Sequence, residues 1–190
     1  MKGFYYISKG MDIMRACQIN LKQEVTRNDA MTILKWMRSD EVTKYLNESD
    51  NVDYEMEQAI KKTNMPIMTH VFNRDGSFYL IHTEENNPIG FIKLLKKQRE
   101  TEMVIVIGDK NNWGQGLGKA SIKKALDIAF FQWRVPRVVA KIHPNNIRSI
   151  KAFEKLGFLL ENEYANMKVL SLTMDTFIKN LKYMQPIAVE

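Results

Sequence analysis

Apolar positions along the chain change period several times, and each change marks an element. Residues 17–25 (CQINLKQEV) alternate apolar and polar, which predicts a first strand. Thr26 then opens a T-x-x-D capping pattern with Asp29, ahead of Ala30, Ile33, Leu34 and Met37 at helical spacing. Shorter helical patterns follow over residues 40–46 and 53–63. Asp75-Gly76 is a hairpin signal, with Val71-Phe72 before it and a strand over 77–83 after it. The turn Glu85-Asn86-Asn87-Pro88 leads to a strand over 89–95. Residues 102–108 (EMVIVIG) form a dense β-branched run and predict a central strand buried on both faces.

Beyond that run the texture changes. Residues 109–118 are a turn-rich loop carrying three glycines, and 117–131 read as helix, with Ile122, Ala125, Leu126 and Ala129 on one face. A short strand over 137–142 is followed by the turn His143-Pro144-Asn145-Asn146, where Asn146 is an N-cap. Ile147, Ile150 and Phe153 form the apolar stripe of the next helix, and Gly157 is its stop. Residues 158–160 and 169–177 predict the last strands. This order, strand, helices, antiparallel-type strands and then βαβαβ, predicts an α/β or α+β fold on a mixed sheet. No repeat or linker divides the chain, so one domain over 1–190 is expected, its motif-bearing part about 17–178.

Composition excludes several classes. With 45% hydrophobic and 26% charged residues the chain reads as globular rather than disordered or fibrous. No apolar run reaches the roughly 18–20 residues of a membrane span, and the N-terminus has no signal-peptide pattern, so no membrane partner is expected. The single cysteine, Cys17, cannot form an internal disulfide and fits a reducing, cytoplasmic setting. His70, His82 and His143 lie far apart, without cysteines at zinc-site spacing, so no metal is expected.

Charge is unevenly placed. Net charge is +6, yet residues 110–155 alone hold ten basic against two acidic residues, Asp127 and Glu154, a net of +8. Such a field concentrates anions. Residues 40–57 are the opposite, with seven acidic residues against Lys44. Nucleic acid is disfavoured as partner, because the basic residues lack interleaved aromatics and any RNP-like or helix-turn-helix pattern.

The segment Trp113-Gly114-Gln115-Gly116-Leu117-Gly118-Lys119-Ala120 sits where a strand hands over to a helix. Its glycines let backbone N–H groups approach a ligand, and the helix start adds partial positive charge, which together make an anion site. It is not a phosphate loop of the G-x-x-x-x-G-K-[ST] kind, since Trp113 replaces the first glycine and Ala120 the hydroxyl. Nor does its G-x-G-x-G spacing match the dinucleotide fingerprint. A glycine-rich turn of purely structural use also fits.

The same residues resemble the signature of the GNAT superfamily of acetyl-CoA-dependent N-acetyltransferases, [QR]-x-x-G-x-[GA], with Trp113 in place of the leading Gln or Arg. W-G-x-G is usual in the branch resembling ribosomal-protein N-terminal and polyamine acetyltransferases. A second block, Asn146-Ile147-Arg148-Ser149 through Phe153-Glu154-Lys155-Leu156-Gly157-Phe158, is similar to that family's N-x-x-S/A-x-x-x-Y/F-E-K-x-G-F segment. The stretch from Asn20 to Leu46 is similar to the branch's first strand and paired helices, so the resemblance spans about residues 20–177.

The resemblance implies a GNAT-like mixed, mostly antiparallel sheet of six to seven strands, flanked by helices, with a splayed central parallel pair. It implies acetyl transfer from acetyl-CoA to a primary amine of a small molecule or protein N-terminus, by direct transfer in a ternary complex. Pantetheine would pair with strand backbone near Val106 and Ile107, and the pyrophosphate would take N–H groups from Gln115, Gly116, Leu117, Gly118 and Lys119. Lys119, Lys123, Lys151 and Lys155 would screen phosphates, and Asn146 would bond the pantetheine arm. At the position where many members carry a proton-donating Tyr stands Phe153, a wall residue of the same site. A catalytically retired domain that binds acyl-CoA or a partner as a sensor is therefore the alternative.

Ser149 is the nearest hydroxyl to protonate the leaving thiolate, and Glu102 is the candidate base, with burial expected to raise its pKa toward neutrality. Ser149 also reads as an ordinary helix-face serine, Glu102 as a strand-end charge and Asn146 as a cap alone. In the family the loop between the first two helices borders the acceptor groove, so the resemblance implies, through Glu48, Asp50 and Asp53, a cationic amine acceptor. The assembly is expected to be a monomer or homodimer.

Overall fold

A computed structural model describes residues 19–46, 51–74 and 76–184. Cys17, the first two residues of the expected first strand, Glu48, Asp50 and Asp75 lie outside the described residues. Seven strands form one sheet in the order β1-β2-β3-β4-β5-β7-β6. They are β1 (Ile19–Lys22), β2 (Ser77–Thr83), β3 (Pro88–Lys96), β4 (Thr101–Ile107), β5 (Arg137–Ile142), β6 (Leu159–Tyr164) and β7 (Met167–Thr173). All neighbours are antiparallel except β4 and β5. That parallel pair bridges only at Thr101–Val138 and Glu102–Val139, and both strands run on beyond it. The expected splayed central pair is therefore present, and it opens toward the C-terminal ends of the two strands.

Strand alternation divides the core in two. Tyr79, Ile81, Ile92, Leu94 and Met103 pack on one face, under α5 (Leu117–Asp127), α6 (Ile147–Glu154) and α7 (Met174–Met184). Phe78, Leu80, Phe91 and Val106 pack on the other, under α1 (Arg27–Met37) and α3 (Val52–Lys62). The short α2 (Asp40–Thr43) and α4 (Thr69–Phe72) complete that second layer. The capping box expected at Thr26 forms in full, with Thr26 and Asp29 each satisfying the other's backbone N–H.

Two local expectations are corrected. Val71 and Phe72 are not the first arm of a hairpin but lie in α4, whose start is tied down by the Val25 N–H donating to the Thr69 hydroxyl at 2.9 Å. From there Phe72 packs on Phe78, ring centres 4.9 Å apart. The last strand ends at Thr173, and Phe177 belongs to α7, where its ring meets Phe130 at 5.2 Å. The helix after the glycine loop keeps its α form to Asp127 and widens into a π-turn over Ile128–Gln132 before Trp133.

Candidate active site

The gap between β4 and β5 continues into a groove of about 910 Å³. Its walls include Ile105, Val106 and Ile107 of β4, Gly114, Gly116, Gly118 and Lys119 of the loop and α5, and Arg148, Ser149, Lys151 and Ala152 of α6 with its caps Asn146 and Lys155. A second cavity of about 270 Å³ lies deeper, lined by Glu102, Met103, Val104, Lys141, Phe153 and Met167. Tyr45, Leu46, Ile105, Asn146 and Ser149 line both, so the two spaces meet at a waist between the strands.

The outer end is built for an anion. Gly116 caps α5 in the left-handed region, φ +81°, where it has no side chain to satisfy the helix start. The first intrahelical bond runs from the Ala120 N–H to the Gly116 carbonyl, so the N–H groups of Leu117, Gly118 and Lys119 precede it. A Cβ placed on Gly114 or Gly116 meets nothing within 4 Å, so the loop borders open space there. Lys119, Lys151 and Lys155 line the same end. The side chains of Gln115 and Leu117 turn elsewhere: the Gln115 amide donates to the Asn111 carbonyl at 2.6 Å, and the Leu117 side chain is buried in the core. Lys123 is exposed and outside the groove wall.

At the waist, Asn146 caps α6, its side-chain oxygen accepting from the Ser149 N–H at 3.2 Å. Ser149 and Asn146 thus sit side by side where the two cavities join. Phe153 contributes only a wall: it is 1% exposed and stands edge-on to Phe158 at 4.9 Å.

The deep end departs from expectation at Glu102. Burial pushes its carboxyl up, but hydrogen bonds and charge from Lys97 and Lys141 outweigh that and hold it below its ordinary value. The two lysine nitrogens lie 2.5 and 2.9 Å from one carboxylate oxygen. The expected rise toward neutrality is reversed because neighbouring cations favour the charged form.

The acidic run also sits differently than expected. Among its described members only Glu41 lines the groove, ion-paired there with Lys110. Asp53 and Glu57 pair instead with Arg38, and Glu57 also with Lys61. Sequence reasoning passed over two groove residues, Tyr45 and Arg148. The Tyr45 ring lies 5.3 Å from His143, and the Arg148 guanidinium lies over Trp113. Both stand inside stretches already matched by resemblance, but no spacing rule marks them, because they meet only through tertiary placement.

Among the described residues no cluster of three or more His, Cys, Asp or Glu could hold a metal ion, and no helix is long and apolar enough to cross a membrane.

Comparison with known proteins agrees with this geometry. Residues 21–159 match the model of the acetyltransferase (GNAT) domain family. An uncharacterized N-acetyltransferase of Bacillus licheniformis, p20, is 27% identical over 159 residues, covering 80% of this chain and 88% of that protein. Among solved structures, the spermidine N-acetyltransferase of Vibrio cholerae, in complex with CoA and spermine, superposes with a TM-score of 0.70 at 19% identity, over 85% of this chain and 98% of that one. A domain from Methanocaldococcus jannaschii gives a TM-score of 0.67 at 21% identity, over 82% and 98%.

Proposed function

The chain belongs to the acetyltransferase (GNAT) domain family and is an acyltransferase, and from that premise we propose that it transfers an acetyl group from acetyl-CoA to a primary amine in a ternary complex. The observation that carries this reading is the divergence of β4 from β5 immediately beyond Glu102 and Val139, continuous with the glycine-loop groove. Acetyl-CoA is the donor substrate, and the cleft suits it from end to end. Pyrophosphate meets the N–H groups at the start of α5, with Lys119 and Lys155 nearby. The pantetheine arm lies along the freed edge of β4 at Val106 and Ile107. Asn146, whose oxygen is occupied by its cap, offers its NH₂ to that arm.

In this reading the thioester lies at the waist and the acceptor in the second cavity. The neutral amine attacks the thioester carbon, the carbon–sulfur bond breaks, and the sulfur leaves as thiolate. Strand N–H groups near Ile107 stabilise the oxyanion, and the Ser149 hydroxyl gives its proton to the sulfur while regaining one, through cleft water, from the attacking nitrogen as the amide forms. A primary amine with pKa near about 10 must first lose a proton. Glu102, held ionised by two lysines, is a weak base, and in this reading it neutralises Lys97 and Lys141 beside the acceptor while cleft water takes the proton. The acceptor is a cationic amine, a reading supported by the spermine in the Vibrio cholerae complex.

Thermal unfolding with and without acetyl-CoA tests the donor site. Binding to the folded state alone stabilises by about 2.7 kcal/mol at a hundredfold excess over Kd, and an upward shift of several degrees is expected. Free-thiol release with polyamines, N-terminal peptides and amino sugars then tests the acceptor. No shift at millimolar acetyl-CoA overturns the reading.

A further inference from the structure

Among the described residues, one cation lining the outer cavity pairs with no protein anion. Arg148 stands on α6, and its guanidinium carbon lies 3.7 Å from the centre of the Trp113 ring, the separation of stacked planes. Trp113 is fixed in turn, its indole N–H donating to the Ile107 carbonyl at 2.8 Å. Trp113 belongs to the loop after β4 and Arg148 to the helix after β5, so their contact spans the gap between the two diverging strands. Both line the outer cavity.

Stacking occupies only the face of the guanidinium. Its five N–H donors lie in the plane, in a fork that matches two oxygens of a phosphate. Among the described residues Arg148 makes no ion pair or hydrogen bond; its contacts are the Trp113 ring and the electrostatic influence of the Tyr45 phenol. Burial disfavours its charge, which the Tyr45 phenol partly offsets. Lys110, on the same rim, is by contrast already paired with Glu41. A flat guanidinium, exposed to the groove and with no donor engaged among the described residues, is a receptor awaiting an oxyanion.

We propose that Arg148, held flat on Trp113, binds a phosphate of the acyl-CoA substrate and so aims the pantetheine arm into the gap between β4 and β5. The proposal rests on the acetyl-CoA reading of the cleft. The phosphate is either the pyrophosphate or the ribose phosphate, and the experiment separates the two.

Calorimetric titration of the wild type, R148A, R148K and W113A with CoA, dephospho-CoA and pantetheine is the test. R148A should weaken CoA binding about 10- to 100-fold, the size of a lost charge-assisted pair, and leave pantetheine binding unchanged. R148K, which keeps the charge but not the planar fork, should recover only part of the loss. W113A should cost a similar factor, and the double variant little more than either alone, because the two act as one unit. Melting curves of the variants without ligand check that the fold is intact, and the Arg148 variants decide the matter if W113A does not fold. An R148A penalty that persists with dephospho-CoA assigns the pyrophosphate; one that vanishes assigns the ribose phosphate. Wild-type affinity for CoA in R148A, or an equal loss for pantetheine, overturns the proposal. Failure of the wild type to bind CoA at millimolar concentration overturns the acetyl-CoA reading itself, a different result from either.

Discussion

At the scale of single residues, two positions separate what the cleft needs from what the fold needs. Gly116 has a left-handed backbone but open space where a Cβ would go. Gly116→Ala should therefore cost about 1 kcal/mol of stability through backbone strain alone, a few degrees in Tm. Its larger effect should be a raised KM for acetyl-CoA, since the added methyl enters the space the loop leaves open; a KM unchanged within twofold would show that the loop does not face the donor. Glu102 supplies the sharper test. Removal of a general base typically costs 10²–10⁴ in rate, whereas loss of a carboxylate that neutralises Lys97 and Lys141 leaves their charge to repel a cationic acceptor. Glu102→Gln is expected to raise the acceptor KM while keeping kcat within about tenfold and the pH profile of kcat in place. A collapse of kcat together with loss of the acidic limb would restore Glu102 as the base. Glu102 also shows where sequence reading stops: burial was foreseeable from the β-branched run around it, but Lys97 and Lys141 converge on it from β3's end and from β5.

At the scale of elements, α5 carries a flaw that can be repaired. Asp127 is half-buried where α5 passes into the π-turn over Ile128–Gln132. Burial raises its pKa, against the lowering influence of Lys123 and Lys124. A carboxyl whose folded pKa exceeds the unfolded value is fully tolerated only below about pH 4, and its ionisation opposes folding at neutrality. Asp127→Asn should raise Tm at pH 7 and lose that advantage near pH 3; equal shifts at both values would assign the effect to packing. Most elements were legible because their signals are local: the Thr26 box, the Asn146 cap and the β4 run all depend on near neighbours. The errors fell where two patterns overlap. Thr173 ends a β-branched run, yet its hydroxyl accepts from the Thr176 N–H at 3.3 Å and so starts α7. Met174, Phe177 and Leu181 already stood at helical spacing behind it. The α4 turn had no such cue, because Phe72 is placed by Phe78, itself stacked on Phe91 of the next strand, rather than by its own neighbours. The cleft was legible to the same degree: its glycine loop and cap are local motifs, while the Tyr45 and Arg148 contributions are tertiary.

At the scale of the whole molecule, the sheet encloses a titratable group that ties stability to pH. His82 lies on β2 between Asn20 of β1 and Pro88 of β3, 5% exposed, its Nδ1 without a hydrogen-bond partner among the described residues. Burial lowers its pKa, the Lys22 charge lowers it further, and Asp29 and the Leu80 backbone oppose them. Below the ordinary imidazole value near about 6.5, the unfolded chain takes up this proton more readily than the folded one. Stability is therefore complete above about pH 7 and falls as pH drops through 6.5 toward the lower folded pKa. The net charge of +6 steepens the decline, since protonation adds repulsion to a chain already cationic. His82→Gln removes the titration and keeps a polar side chain of similar reach, so its Tm should fall less than that of the wild type between pH 7 and pH 5, even if it starts lower. His70 and His143 remain in both proteins and cancel in the comparison. Parallel Tm profiles for the two proteins would mean that His82 stays neutral in the unfolded chain as well or that water reaches it in the folded one, and either would remove it as the source of acid sensitivity.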